Sequence, residues 1–362
     1  MNRRGRVRRL DEARLAALVD EALTPSVLEQ QAHLDDWPLA SGSTAAELTA
    51  EIWDHALGDV ARDILSRPSR QFRARLAELS FRLANGIGEP PRWLAGIVEV
   101  IHAGSLIVDD IQDRSLERRG AACAHLTHGL GRALNGANWM YFWALQMVER
   151  LEPDTPLVRE RLYRVLIDAM ARCHLGQSLD LSFAVWRLAR ADVNRLVATS
   201  TMLKTGALME LAARLGAIVG GAPAEREEAL MRFGRRLGVG LQMLDDFGNL
   251  TAGSDGNAAK AREDLRNGTP TWPWALAAER LDASAFAALQ AAARAVADSD
   301  DADSAQAHAL AAQLRAAVGF EGRRRASRYL EKAFDDLRAA VDDRPEIALV
   351  AAEIRRLEVA YG

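Results

Sequence analysis

Helical periodicity is the feature that most limits what this chain can fold into. In nearly every segment between breakers, apolar residues recur three and four positions apart among abundant Ala, Leu, Arg and Glu. This spacing is typical of amphipathic helices. We find no convincing alternation of apolar and polar residues of the kind that marks a half-buried strand. We therefore expect an all-α fold.

Clusters of Gly and Pro divide the chain into helices, for example Gly86 to Pro91 and Gly220 to Pro223. We expect one domain over residues 44–362, preceded by an N-terminal extension over residues 1–43. The predicted helices are residues 10–23, 44–66, 70–85, 92–114, 130–151, 156–183, 192–219, 223–250, 272–281, 284–298, 305–318, 320–341 and 344–360.

Composition excludes several classes of protein. The chain has 362 residues and 49% hydrophobic content, enough for a packed core. Its 46 basic and 50 acidic side chains give a net charge of −4, so no general field attracts a nucleic-acid backbone. Cys123 and Cys173 cannot form a disulfide framework and suit a reducing compartment. Since no apolar run is long enough to span a membrane, we expect a soluble, cytoplasmic protein.

Two acidic clusters each place oxygen-bearing side chains at positions one, two and five near the end of an apolar helix. Their members are Asp109, Asp110, Asp113, Asp245, Asp246 and Asn249. Residues four apart on a helix share a face, so two carboxylates repel unless they are solvated or bridged by a cation. An Asp-Asp pair alone is usually a solvated helix end. Two such clusters in apolar sequence favour a shared site for magnesium, which prefers oxygen ligands.

Basic residues near the first cluster indicate anion binding. Arg118 and Arg119 follow nine and ten residues after Asp109, close enough to fold back over it. Upstream, Arg70 and Arg73 lie three apart on a helical face and could clamp a second diphosphate. Each is individually more typical of a surface charge. Together with two lysines they predict a metal-bridged pocket for two anions, and those lysines are Lys204 and Lys260.

With these motifs in order, the chain resembles the isoprenyl diphosphate synthases, or polyprenyl synthetases, most closely geranylgeranyl diphosphate synthases of the fungal type. The match covers roughly residues 65–280. The resemblance implies a helical bundle with a central substrate pocket and a homodimer. It also implies a magnesium-dependent prenyltransferase that joins an allylic diphosphate to isopentenyl diphosphate, with geranylgeranyl diphosphate as the expected product.

The resemblance also assigns roles at the allylic diphosphate. It implies that the two acidic clusters hold three magnesium ions, which help the allylic carbon–oxygen bond to break. Residues implied to bind the same diphosphate are Arg118, Lys204 and Lys260. Thr205 and Gln242 match groups whose oxygens lie near the allylic cation. Gln177 and Asp180 match a further motif along the pocket wall.

The isopentenyl diphosphate site and product length follow from the same resemblance. Residues implied to bind isopentenyl diphosphate are Arg70, Arg73, His102 and Arg119. A lone histidine on an apolar helix is more often a core residue, but the spacing of His102 from Asp109 favours the ligand role. The small residues Gly104 and Ser105, followed by Ile101, lie below the first cluster and are expected to set product length. Close helix packing is the alternative explanation for Gly104 and Ser105.

Three positions depart from the family pattern, and two other functions stay open. Gln71 replaces a common arginine, Thr269 stands where most members have lysine, and Asn249 replaces an aspartate, as is common in the fungal type. A class I terpene cyclase uses similar metal clusters but needs no second diphosphate site. A non-catalytic subunit of a heteromeric synthase would tolerate loss of the acidic clusters.

Overall fold

The structure, a computed structural model, describes residues 12–24, 27, 50–152, 155–251, 263–299, 305–341 and 344–361, and within them the chain forms the sixteen α-helices numbered below and a further helical stretch at residues 263–267. The helices are α1 (Glu12–Ala22), α2 (Ala50–Trp53), α3 (Asp59–Ser66), α4 (Phe72–Leu83), α5 (Arg92–Asp113), α6 (Ala124–Thr127), α7 (Leu130–Gln146), α8 (Pro156–Ser182), α9 (Arg190–Thr201), α10 (Ala207–Val219), α11 (Ala224–Thr251), α12 (Trp272–Arg280), α13 (Ala283–Ala297), α14 (Ala305–Val318), α15 (Glu321–Ala340) and α16 (Pro345–Tyr361).

Short irregular elements interrupt this helical pattern. Two five-residue π-helical segments, Asp54–Gly58 and Met202–Gly206, connect helices that are otherwise continuous with them. Two strands of two residues each, β1 (Glu117–Arg118) and β2 (Ala121–Ala122), pair antiparallel. The π-helical segments matter for function because such bulges often occur at functional sites.

The predicted all-α class is confirmed, and the predicted helix ends agree with the described ends to within about two residues, with two exceptions. The prediction for 44–66 begins in residues outside the described part and contains the first π-helical segment. The prediction for 130–151 runs through the end of α7 into a single 3₁₀ turn, Glu149–Leu151. The small hairpin was missed because two-residue strands are too short to alternate.

The first compact unit comprises residues 1–75 and 91–152. Helices α5 and α7 form its central pair, α3 packs against both of them, and α1 packs against α3. The largest fully buried side chains of this unit include Leu94, Ile97, Ile107 and Met140. Helix α1 belongs to the expected N-terminal extension, and the division after residue 43 stays a prediction.

The second compact unit comprises residues 76–90 and 153–362. Helix α11 packs against α10 and α15, while α12 packs against α9 and α14. Trp274 and Phe286 meet edge to face in the interior, with ring centroids 6.3 Å apart. Because α11 is buried against several neighbours, the polar residues near its end are held in a rigid frame.

A buried ion network joins three helices of the second unit. Both oxygens of the buried Glu210 accept hydrogen bonds from Arg172, each 3.0 Å long, and Arg235 donates a third bond of 2.7 Å. Burial opposes the charged form of Glu210, but these hydrogen bonds and positive charges outweigh it and lower the pKa of the carboxyl. The network ties α8 and α11 to α10.

Among the described helices, none is long and apolar enough to cross a membrane.

Gly216 provides a test of packing in the second unit. An alanine Cβ there would lie 2.1 Å from the carbonyl oxygen of Ala77 and 2.9 Å from the amide nitrogen of Phe81. Both are backbone atoms, so α4 and α10 would have to separate. We expect Gly216→Ala to lower the free energy of unfolding by about 1–3 kcal/mol in urea titrations.

The matched control is Gly131→Ala on α7, where an added Cβ has no neighbour within 4 Å. We expect this variant to be neutral or stabilised by up to about 1 kcal/mol, because alanine favours helix more than glycine does. Similar unfolding free energies for the two variants would show that α4 and α10 pack less closely than described.

Candidate active site

Helix α5 presents the first acidic cluster at its end. The helix stops where Arg114 adopts a left-handed conformation with φ 57°. Asp109 and Asp113 are half-buried and lie one turn apart on the same face. Asp110 is different, since only 1% of its surface is exposed. The cluster therefore offers two accessible carboxylates and one internal carboxylate.

The internal carboxylate of Asp110 forms an ion pair with Arg118. Nε of Arg118 donates to Oδ1 of Asp110 at 2.8 Å, and a second guanidinium nitrogen donates to the same oxygen. Burial opposes the charged guanidinium, but the hydrogen bond and charge of Asp110 outweigh it and raise the pKa of Arg118. The structure thus folds Arg118 back onto the cluster, as its short separation in sequence predicted.

A second group of charges surrounds Glu99, a residue that sequence reasoning missed. Glu99 is 4% exposed and accepts a hydrogen bond of 3.3 Å from the backbone N–H of Ala74. Burial raises the pKa of this carboxyl although the positive charges of Arg73 and Arg119 act against the shift. A glutamate one turn before His102, inside an otherwise apolar helix, was the signal that could have identified it.

Positive charge exceeds negative charge around Glu99. Burial lowers the pKa of Arg119, and the neighbouring charge of Arg73 adds to this effect while Glu99 opposes it. Burial lowers the pKa of the half-buried His102 well below its ordinary value, with Arg73 and Arg119 acting in the same direction. The buried Nε of Arg73 has no hydrogen-bond partner. Unpaired buried donors beside surplus positive charge fit a bound anion.

Arg70 and Gln71 precede this group. Arg70 is exposed, whereas Gln71 is buried and has a left-handed φ of 46°. Arg70 therefore lies at the surface at the start of α4, while Arg73 lies within the charged group around Glu99. The structure brings Arg73, His102 and Arg119 together, and it leaves Arg70 at the edge.

In the second unit, a π-helical segment presents Lys204 and Thr205. Gly176 on α8 lets this segment approach closely, since an alanine Cβ there would lie 2.9 Å from the amide nitrogen of Lys204. The ammonium group of Lys204 pairs with Oδ2 of Asp180 on α8 at 2.7 Å. Gln177 is half-buried and lies on α8 one turn before Asp180.

A chain of hydrogen bonds fixes the second acidic cluster. The hydroxyl of Thr205 donates to Oε1 of Gln242 at 2.9 Å, and Nε2 of Gln242 donates to Asp246 at 2.8 Å. The backbone N–H of Trp272, at the start of α12, donates to the other oxygen of Asp246 at 2.9 Å. Burial raises the pKa of Asp246 to about 8, although both hydrogen bonds favour the charged form.

Asp245 is the half-buried member of this cluster, and Asn249 is buried beside it with 7% of its surface exposed. Nδ2 of Asn249 donates to Oδ2 of Asp245 at 3.2 Å, which orients the half-buried carboxylate. Asn249 therefore orients the carboxylate of Asp245, a candidate metal ligand. An ionised aspartate at position 249 could not donate this hydrogen bond. The backbone N–H of Thr269 donates to the carbonyl of Asp264 at 2.9 Å. Lys260 lies outside the described residues.

Comparison with known families adds to this geometry. The sequence model of one family, polyprenyl synthetase, matches residues 54–311. The chain belongs to the polyprenyl synthetase family. Its predicted family resemblance is thereby confirmed, and so is the coarser form of the expected activity, a prenyltransferase of this family.

Individual relatives differ in what they are named for. This polyprenyl synthetase is 31% identical over 238 residues to a geranylgeranyl pyrophosphate synthase of Eremothecium gossypii, covering 61% of this chain and 70% of that protein. It is 32% identical over 216 residues to a terpene synthase of Matsumurasca onukii, covering 58% of this chain and 65% of that protein.

A solved structure supports the same fold. The chain matches a polyprenyl synthase from Caulobacter crescentus, complexed with calcium and isoprenyl diphosphate, with a TM-score of 0.69. The match covers 98% of this chain and 99% of that one at 19% identity. At that identity the likeness concerns the fold alone.

The donors in each acidic cluster fit magnesium that is shared with a substrate. No three His, Cys, Asp or Glu side chains within the described residues are grouped closely enough to hold a metal alone. Magnesium usually takes one or two carboxylates and completes its octahedron with water and substrate phosphates. Asp109 with Asp113, and Asp245 with Asn249, supply that number of oxygen donors. The chemistry of both pairs is therefore suitable for the ion that the family generally uses.

The three residues expected to set product length have different surroundings in this polyprenyl synthetase. An alanine Cβ at Gly104 would lie 3.0 Å from the carbonyl oxygen of Ala137 and 3.4 Å from a ring carbon of Tyr141. Ile101 is buried, while the half-buried Ser105 donates a 2.8 Å hydrogen bond to the carbonyl of His102. This geometry favours the packing explanation for Gly104 and leaves Ser105 as the candidate for lining a tunnel.

Glu99 provides a test of the surplus positive charge. We expect Glu99→Gln to leave the melting temperature unchanged or to raise it at alkaline pH, because burial makes the ionised form of this carboxyl unfavourable despite the charges of Arg73 and Arg119. Added inorganic diphosphate should then raise the melting temperature of the variant more than that of the unchanged protein, because the anion replaces the missing charge. Thermal unfolding with and without diphosphate, at an alkaline pH where the carboxyl is ionised, measures both effects.

The control is Glu21→Gln, which removes a carboxylate that pairs with the exposed Arg92 at 2.7 Å. We expect little change in melting temperature and an ordinary response to diphosphate, since surface ion pairs contribute little. A response to diphosphate equal in all three proteins would contradict the anion assignment.

Proposed function

We propose that this family member condenses an allylic diphosphate with isopentenyl diphosphate and that geranylgeranyl diphosphate is its main product. The observation that carries the proposal is the basic group of Arg73, His102 and Arg119, which is distinct from the carboxylates of Asp109 and Asp113. One diphosphate needs the metal-binding carboxylates, and a second anion needs the basic group. The relative from Eremothecium gossypii supports the product class.

The acidic clusters would hold magnesium through Asp109, Asp113, Asp245 and Asn249. When bound, the metal supplies charge neutralisation for the leaving diphosphate. Its presence, in three ions, follows the family, and a relative of the same fold is named as a complex with calcium and isoprenyl diphosphate. Asp110 serves a different task in this proposal, because its ion pair with Arg118 holds that guanidinium beside the accessible carboxylates.

The protein's own groups orient the rest of the reaction. The hydroxyl of Thr205 and the amide of Gln242 are fixed by their mutual hydrogen bond, so their oxygen dipoles can stabilise an allylic cation without reorganising. Lys204 and Gln177 lie on neighbouring segments and would contact the same substrate, together with Lys260. Arg73, Arg119 and His102 would orient the second substrate for attack on the cation, and the departing diphosphate would take the released proton.

Two other functions are weighed against this one. A class I terpene cyclase has a specific observation in its favour, the similarity to a terpene synthase of Matsumurasca onukii. Such an enzyme needs a single diphosphate site, so the buried, unpartnered Nε of Arg73 favours condensation. A non-catalytic subunit would not need the ordered chain from Thr205 to Asp246.

The assembly and location are also proposals. Exposed apolar residues recur on α7 at Leu130, Leu134 and Phe142, and exposed apolar faces often mark interfaces. We assign this face to a homodimer, which sedimentation velocity would detect. Cys123 and Cys173 carry thiols and form no disulfide, which suits the cytoplasm. The division after residue 43, between an N-terminal extension and the prenyl diphosphate synthase domain, is also a proposal, and α1 of that extension packs against α3.

The decisive assay combines purified protein, magnesium, labelled isopentenyl diphosphate and each of three allylic primers, with products sized by chromatography. We expect condensation that a chelator abolishes. Asp109→Ala and Asp245→Ala should each reduce turnover about a thousandfold or more, because several kcal/mol of charge stabilisation are lost.

The control variant is Asp192→Ala, which removes an exposed aspartate on α9. Its turnover should match that of the unchanged protein. Cyclic hydrocarbon from an allylic substrate alone would favour the cyclase. Absence of any product with every primer would favour the non-catalytic subunit.

Product length depends in this proposal on the face of α5 that carries Ser105. A phenylalanine at this half-buried position would fill space one turn below Asp109 and leave the carboxylates in place. We expect Ser105→Phe to shift the main product from geranylgeranyl toward farnesyl diphosphate while condensation continues. Chromatography of dephosphorylated products measures the shift.

Gly104→Ala separates this effect from helix packing. The added methyl would press on Ala137 at 3.0 Å, so we expect lower thermal stability with unchanged product length. If Ser105→Phe is fully active and makes the same product as before, this helix face does not line the tunnel.

A further inference from the structure

Arg67 makes four hydrogen bonds from a position that sequence analysis did not single out. Only 6% of its surface is exposed. Nε and one terminal nitrogen donate to the two carboxylate oxygens of Asp63 at 3.0 and 2.8 Å. The terminal nitrogens also donate to the carbonyl oxygens of Arg118 at 2.9 Å and Ala122 at 2.8 Å. Four of the five N–H donors of this buried guanidinium are therefore bound to protein atoms, which gives the side chain a structural position.

The two carbonyls belong to opposite strands of the β1–β2 hairpin. In that hairpin, Glu117 pairs with Ala122, and Arg118 pairs with Ala121. The loop between the strands consists of Arg119 and Gly120, both with positive φ, at 54° and 80°. Positive φ angles at both loop residues are typical of a two-residue hairpin turn. Such a left-handed conformation is nevertheless unfavourable for an arginine. Two-residue strands cannot maintain such a turn alone, so the hairpin needs support from outside.

Arg67 also lies in the segment that leads to the basic group. It precedes Arg70 by three residues and Arg73 by six residues. The hairpin that it binds carries Arg118 and Arg119. One buried side chain therefore connects the two segments that supply the candidate diphosphate-binding arginines, and it determines how far apart those segments lie.

Arg67 acts as a brace for the β1–β2 hairpin, and the carboxylate of Asp63 balances its positive charge. His128 also contacts this carboxylate, with Nε2 at 3.0 Å from Oδ2. Burial opposes the ionised form of Asp63, but the hydrogen bonds from Arg67 and His128 outweigh it and lower the pKa of the carboxyl. The carboxylate therefore stays ionised at neutral pH and holds the guanidinium toward the hairpin.

We propose that Arg67, held by Asp63, is a positioning residue that sets Arg119 in place for isopentenyl diphosphate. The proposal rests on the function proposed above. Arg118 on the same hairpin has its own anchor in Asp110, whereas Arg119 occupies the turn that the brace supports. Loss of the brace should therefore affect the second substrate much more than the allylic substrate.

The test is Arg67→Lys, which keeps the charge but cannot form four directed hydrogen bonds. We expect the KM for isopentenyl diphosphate to rise about tenfold or more, against about twofold for the allylic diphosphate, as each lost charge-assisted contact is worth roughly that factor. Amide hydrogen exchange in residues 117–123 should also become faster. Asp63→Asn keeps the two contacts between Arg67 and the backbone carbonyls, so it should show the same pattern of KM changes more weakly. This variant replaces Arg67→Lys in the test if the lysine variant does not fold.

The matched control is Arg190→Lys, because Arg190 also donates to two backbone carbonyls, those of Ala278 and Leu281, at 3.1 and 2.7 Å. It should lower stability without changing the ratio of the two KM values. A purely structural role for Arg67 would give the same result as this control, and equal rises in both KM values would also overturn the proposal.

A separate readout distinguishes this proposal from the proposed function. Calorimetric binding of inorganic diphosphate should weaken in Arg67→Lys even if the unchanged protein makes no prenyl product. If the unchanged protein does not catalyse condensation but Arg67→Lys still binds diphosphate more weakly, the proposed function is rejected and the role of Arg67 is supported. If Arg67→Lys changes neither diphosphate binding nor amide hydrogen exchange in residues 117–123, the proposed role of Arg67 is rejected.

Discussion

The ion pair between Asp110 and Arg118 is the interaction on which the site in the first unit depends. Its carboxylate is almost fully buried at the end of an apolar helix, where an unpaired charge would be costly. The pair joins α5 to the β1–β2 hairpin at a fixed point. Asp110 is committed in this way, whereas Asp109 and Asp113 are half-buried on another face of α5. Arg119 in the hairpin turn interacts electrostatically with Glu99 and His102.

The second unit solves the same physical problem with neutral donors. Asp246 is also buried at the end of a helix, but a glutamine amide and the first N–H of α12 hold its two oxygens. A helix N-terminus favours negative charge nearby, yet burial still raises the pKa of Asp246 to about 8. Arginine thus balances the internal aspartate of one cluster, while dipoles only partly balance that of the other. Under the proposed function, a bound cation would complete the charge balance of the second cluster.

Sequence reasoning predicted the helices, and it proposed most of the candidate site residues, because both depend on local spacing. Periodicity predicted α5 and α11, and the position of Arg118 relative to Asp109 predicted its return to the cluster. Arg67 and Glu99 were missed because their importance comes from tertiary contacts with residues about 50 and 25 positions away. From sequence alone, Gly104 was compatible both with lining a product tunnel and with close helix packing. The short distance between a Cβ added at Gly104 and the carbonyl oxygen of Ala137 on α7 favours packing.

The opposite charge imbalances of the two groups imply that each is stabilised by its own ligand. Around Glu99, burial lowers the pKa of His102 and Arg119, and the charge of Arg73 acts in the same direction, so a bound anion would offset unfavourable positive charge there. Around Asp246, burial raises the pKa of the carboxyl and the charges of Asp245 and Asp264 act in the same direction, so a bound cation would offset unfavourable negative charge there. A ligand that binds only the folded state adds to its stability. The anion and the cation of the function proposed above would therefore each offset a cost of burial that the folded chain already carries at these side chains.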